Sequence, residues 1–257
     1  MINKRFYFFK TPPDQACLDP NSRSRAIVST IVNSANNSSI NAIKSYIEQT
    51  APADEALAAA TEAAREFGLL VPDAATAELL RFLAANTAGR AALGGHTPTG
   101  IIMSPACGLL GSHLFRGFYA AGATQAHLTC IEPEVQHQQL AKNAFKQIGI
   151  ASNGFRFLPS RPLDVIGRLA STSYDLAIAE CAVEDIEATV AATLPTLRHG
   201  GVLLLLDTLL DGTLADAERT DRQSVCAREA DEYITSLDGV TAARLPVGAG
   251  ATIITKH

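Results

Sequence analysis

Tryptophan is absent from the 257 residues, and aromatic side chains make up only 6% of them. A base-stacking platform for single-stranded nucleic acid therefore has few rings to draw on. The 21 basic residues are scattered and form no stripe; against 26 acidic residues they leave a formal charge of −5. That balance, with a pI near 5.7, argues against nucleic acid or an anionic membrane as partner. No apolar run approaches the ~20 residues of a membrane helix. The stretch "VLLLLDTLL" is too short and carries Asp207, so it reads as a buried strand. The opening "MINKRFYFFK" has no adequate apolar segment or small-residue cleavage site, and the cytoplasm is the expected location. Five cysteines, Cys17, Cys107, Cys130, Cys181 and Cys226, are odd in number and show no CxxC spacing. Neither a disulfide framework nor a zinc knuckle is indicated. No internal repeat is found.

What the chain does contain is 47% hydrophobic and 18% charged residues, enough for one soluble domain with a full core. Residues 1–40 stand apart. Polar turn-formers in "DPNSRSR" and "NSANNSS" surround one short apolar run, and the segment reads as a weakly ordered extension. Helical spacing follows in "INAIKSYIEQ" and in "PADEALAAATEAAREFG". The next helix, "VPDAATAELLRFLAANTAG", has Asp73 as N-cap and Gly89 beyond its end. From residue 100 strands and helices alternate, through "GIIMSP", "AHLTCIEP", "FRFLP", "YDLAIAE" and "GVLLLLD". The chain closes with two strands, "VTAARLPVG" and "ATIITK". Alternation of this kind predicts an α/β fold: a doubly wound sheet, mostly parallel, buried on both faces and edged by an antiparallel hairpin. In such a sheet a ligand binds outside the carboxyl ends of the strands, beside the first. There the sequence reads "GIIMSPACGLLGSHL", a strand, a small-residue turn and a helix, the outline of a nucleotide-binding loop.

Four further motifs, in order, carry a family resemblance. They are "CIEPEVQHQQLAKNAFKQIGI", "SYDLAIAE", "LPTLRHGGVLLLLDTLLDG" and "LPVGAGATIITK". Over residues 41–257 the chain resembles the small cation-dependent O-methyltransferases, which use S-adenosylmethionine (SAM) and include the catechol and caffeoyl-CoA enzymes. The pattern is closest to divergent actinobacterial members. The resemblance implies a Rossmann-like class I methyltransferase sheet preceded by N-terminal helices, a small hydroxyl-bearing substrate and a homodimer.

It also implies site residues. In the first turn Ile102 stands at the family's acid, Ser104 at its first glycine, Ala106 within the loop and Gly108 at its second glycine. Glu132 would end the second strand as the carboxylate for the ribose hydroxyls, since a carboxylate accepts from both. Ser160 and Arg161 occupy the adenine-edge positions. Glu180, Asp207 and Thr208 fill the positions that hold a divalent cation such as Mg²⁺ in the family, Glu180 also lying beside the cofactor. Glu and Asp are hard oxygen ligands; Thr is a poorer neutral one. Glu180 and Asp207 are the candidate catalytic residues. Val183 stands where the family's lysine base would be. No histidine precedes His96, which leaves Tyr46 or a water on the cation as base. Other readings stay open: Asp207 capping a loop, Glu180 paired with Arg161, and a catalytically inactive scaffold. Cys107, Cys130 and Cys181 fall at or near the ends of the first, second and fourth strands. They would ring the cofactor cleft, either as a thiol site or as small buried residues.

Overall fold

The computed structural model describes residues 39–257. Residues 1–38, most of the expected weakly ordered extension, lie outside the described residues. Helix α1 covers residues 39–50. The chain falls into two units, Met1–Tyr46 and Ile47–His257. In the second, α2 (Glu55–Glu66) and α3 (Ala74–Leu93) precede the sheet. Both helices are capped by aspartate. Asp54 accepts from Leu57 N and Asp73 from Thr76 N, each satisfying a donor the first turn leaves unpaired. Helix α3 passes through Gly89 and ends at Leu93 with Gly94 as its cap, five residues later than expected, because "RAAL" propagates the helix and nothing crowds Gly89.

Seven strands follow: β1 (Thr99–Met103), β2 (His127–Ile131), β3 (Phe155–Leu158), β4 (Tyr174–Ala179), β5 (Leu197–Leu205), β6 (Val240–Leu245) and β7 (Ala251–Lys256). Their order is β3-β2-β1-β4-β5-β7-β6. The first five are parallel; β7 pairs antiparallel with β5 and β6. The connecting helices are α4 (Cys107–Ala120), α5 (Val135–Gln147), α6 (Pro162–Val165), α7 (Ile186–Thr193) and α8 (Arg222–Ser236). Helix α7 stops sooner than its apolar spacing suggests, since Pro195 brings a short 3-10 turn and β5 starts at Leu197.

Successive residues of a strand face opposite sides, and β1 divides accordingly. Ile102 packs with Leu114, Phe115 and Phe145 on one face; Ile101 and Met103 pack with Ile186 and Val190 on the other. Both faces are covered, as a parallel sheet requires. The chain runs from β1 outward to β3, then returns to β4 on β1's other side. That reversal opens a crevice at the carboxyl ends of β1 and β4.

Candidate functional site

A cleft of about 590 Å³ occupies this crevice, within the usual range for small-molecule sites. Ser104, Glu132, Arg161 and Glu180 all line it. Glu180 follows β4, and its backbone N–H donates to Met103 O at 2.9 Å, which sets it level with the end of β1. The Ser104 hydroxyl donates to Glu180 Oε2 at 2.5 Å, and Ser104 Oγ itself accepts from Ala106 N at 2.9 Å. One serine thus holds the turn into α4 and a carboxylate at once. Burial pushes the Glu180 carboxyl up from its ordinary range; the Ser104 bond opposes this, and the charges of Asp207 and Glu132 add to it.

Glu132 is 2% exposed. Its Oε1 accepts from Glu134 N at 2.8 Å and from His137 Nδ1 at 3.0 Å. Gln138 Nε2 donates to the Glu132 carbonyl at 2.8 Å. Both side-chain bonds land on Oε1, and no described donor reaches Oε2. His137, on the first turns of α5, also lines the cleft. Sequence reading missed it, taking α5 there for an exposed face; the signal was a histidine five residues beyond Glu132, which faces back across the turn.

Other expected residues lie elsewhere. Ala106 and Gly108 line a small recess against α2 and α5. A Cβ on Gly108 would sit 2.5 Å from Ala141 Cα, so this glycine lets α4 and α5 approach. Ser160 is not among the described lining of the cleft. Ile102, at the family's acid position, is fully buried. Arg161 borders the cleft but makes no ion pair among the described residues, so the expected alternative pairing with Glu180 is replaced by the Ser104 bond.

The cysteines do not ring the cleft. Cys107 and Cys130 are fully buried in the core beneath α4, and Cys130 stands in register with inward-facing Ile102. Contact with Cys107 and burial push the Cys130 thiol well above its ordinary value. Among the described cysteines only Cys181 lines the cleft; burial raises its thiol too, so neither Cys130 nor Cys181 is poised as a thiolate. All four described cysteines are free.

The three expected cation ligands open on three different recesses. Glu180 faces the large cleft. Asp207 lines another, at the β6–β7 turn, where its Oδ1 accepts from Ala249 N at 2.9 Å. Thr208 borders a narrow gap under α8, its hydroxyl 2.9 Å from that of Thr252. Among the described residues no group of three His, Cys, Asp or Glu is placed to hold a metal. A hard cation needs convergent oxygens; Glu180 and Asp207 follow adjacent strands and feel one another's charge, while Thr208 turns its hydroxyl to Thr252.

Fold and site together define an α/β protein that holds a small ligand at the switch point of its sheet. No family model matches the chain. A protein from Mycolicibacterium smegmatis, provisionally named an O-methyltransferase, is 30% identical over 213 residues, 83% of this chain and 96% of that one. A similarly named protein from Mycobacteroides abscessus is 30% identical over 226 residues, covering 88% and 100%. Among solved structures, a Corynebacterium glutamicum protein is 46% identical with a TM-score of 0.77, covering 85% of this chain and 97% of that one. The SAM-bound O-methyltransferase TomG of Streptomyces achromogenes, involved in tomaymycin synthesis, shares the fold at 22% identity and a TM-score of 0.67, covering 84% and 96%. The chain belongs to the O-methyltransferase family of these mycobacterial relatives.

Proposed function

We propose that the protein transfers a methyl group from SAM, held in the cleft at the ends of β1, β2 and β4, to a hydroxyl of a small molecule. The observation that carries this reading is the convergence of Ser104, Glu132 and Glu180 on one cleft at the switch point. When bound, SAM supplies an electrophilic methyl on a sulfonium. The chain's residues supply the rest. Glu132, with Oε1 occupied by Glu134 N and His137, offers Oε2 to the ribose hydroxyls. Ser104 fixes the first turn against the ligand. Arg161 and Pro162 flank the adenine edge. Glu180, pinned through Oε2 by Ser104, accepts the proton of the attacking hydroxyl, while Asp207 holds the β6–β7 turn beside the acceptor. Rate enhancement comes chiefly from aligning oxygen and methyl.

We read the site as working without a divalent cation, since Thr208 is engaged with Thr252 and leaves two carboxylates of the expected ligand set. A homodimer is supported by Phe82 and Leu93, 65% and 92% exposed on one stripe of α3, eleven residues apart and so nearly three whole turns. No helix of the described residues is long and apolar enough to cross a membrane, and the free thiols suit a reducing cytoplasm. Calorimetry with SAM and S-adenosylhomocysteine tests the core of this reading. Micromolar binding supports it; no binding at millimolar ligand overturns it and favours the scaffold.

A further inference from the structure

The cleft at the switch point is acidic. Its lining carries five carboxylates, from Glu132, Glu134, Asp164, Glu180 and Asp185, against the basic side chains Arg161 and His137. Glu132 has an ionisable partner, His137 at 3.0 Å. Glu134, Asp164, Glu180 and Asp185 form no ion pair among the described residues. Their charge is felt inside the cleft: Asp185 acts on the Cys181 thiol, and Glu180 senses both Asp207 and Glu132.

Glu132 and Glu180 follow β2 and β4, the two neighbours of β1 in the sheet. Their backbones are fixed level with those strand ends, Glu132 N donating to Leu158 O at 3.1 Å and Glu180 N to Met103 O at 2.9 Å. Two strand steps separate them, roughly 10 Å. A ligand seated against the Ser104 turn, at the end of β1, therefore lies between two carboxylates. Glu132 is almost wholly withdrawn from water, and Ser104 holds Glu180 by one oxygen. Charges placed this way are poorly screened by solvent and salt.

We infer that the cleft selects its ligand by the charge on the transferring sulfur, holding the sulfonium donor and releasing the neutral thioether, with Glu132 and Glu180 as the specificity-determining carboxylates. The inference rests on the methyl-transfer reading. In that reaction the methyl passes to the acceptor oxygen, the electron pair of the broken S–C bond stays on sulfur, and the hydroxyl proton goes to Glu180. One turnover thus removes the positive charge of the ligand and the negative charge facing it together. The attraction that held the donor is gone when the product has to leave.

The test uses the full chain, in buffer containing EDTA, with SAM, S-adenosylhomocysteine and sinefungin, in which an amine-bearing carbon replaces the methylated sulfur. Calorimetry should find SAM and sinefungin bound about tenfold more tightly than S-adenosylhomocysteine. Glu180→Gln keeps an oxygen for the Ser104 hydroxyl and loses the charge. It should weaken SAM and sinefungin until the gap is about twofold or less, and leave S-adenosylhomocysteine unchanged. A merely structural loss would weaken all three alike. Asp185→Asn, at an exposed position, should narrow the gap by a smaller factor without touching the Ser104 bond. S-adenosylhomocysteine bound as tightly as SAM by the wild type overturns the inference and spares the transferase reading, as does a gap undiminished in both variants. No binding of any of the three at millimolar ligand overturns both.

Discussion

Ser104 and Glu180 end neighbouring parallel strands, and their side chains meet at 2.5 Å across the floor of the cleft. The serine stands where the family has glycine, and its hydroxyl also anchors Ala106 N. The substitution replaces backbone freedom with a side-chain brace.

Removing the brace should therefore harm both turn and carboxylate. Ser104→Ala should cost about 1–3 kcal/mol, the penalty for leaving buried groups unpaired. It should also weaken SAM binding. Urea unfolding and calorimetry read the two effects, and a variant as stable and as tight as wild type would refute the brace.

Glu132→Ala should lose roughly 10- to 100-fold in SAM affinity, in keeping with hydrogen bonds to a charged group. His137→Ala should lose less, because Glu134 N still holds Oε1. Equal binding by wild type and Glu132→Ala would dismiss the ribose assignment.

Gly108→Ala should act on stability and spare the ligand. The new methyl would enter the Ala141 backbone, and overpacking of this kind costs about 1–3 kcal/mol. Affinity for SAM in the folded protein should stay within about twofold of wild type, since Gly108 lies off the cleft.

Methyl transfer should survive EDTA. Thr208 turns its hydroxyl to Thr252, which leaves two carboxylates of the expected ligand set, and on the proposed reading chelation then removes nothing the reaction uses. Activity lost with EDTA and restored by Mg²⁺ would show that these donors converge after all.

His113 gives the pH prediction. It is 7% exposed in α4 with Nδ1 unpaired. Burial, aided by the charge of Arg81 and opposed by that of Asp54, lowers its pKa from 6.5 to about 4. The unfolded chain then binds this proton first, so stability is complete above pH 6.5 and falls as pH drops toward 4. The loss is about 3 kcal/mol at most. His113→Leu should flatten the stability profile across that window in urea unfolding.

Much of this was legible in the sequence. Five βα units and a closing hairpin announce the sheet because buried parallel strands must be short and apolar between helical stretches. Glu132 could be counted to the end of β2. Sidedness was harder to read. Cys130 ends a strand as expected, but residue alternation turns it toward the core with Ile102. Gly108 has the spacing of a ligand glycine, yet spacing does not say whether a cofactor or a helix approaches it. Glu180 and Asp207 do follow β4 and β5 as the motifs imply, but which way each side chain opens depends on partners remote in sequence. Thr252 and Ala249 are two of them.

Separate recesses also alter how these positions bear on one another. Donors that share one ion are thermodynamically coupled, so losing one changes the worth of the rest. Glu180 and Thr208 share no hydrogen-bond partner. Independent sites add their effects to within about 0.5 kcal/mol. Positions that follow adjacent strands can still couple through the backbone between them, so a double-mutant cycle on Glu180 and Thr208 reads whether their separate hydrogen bonds act independently.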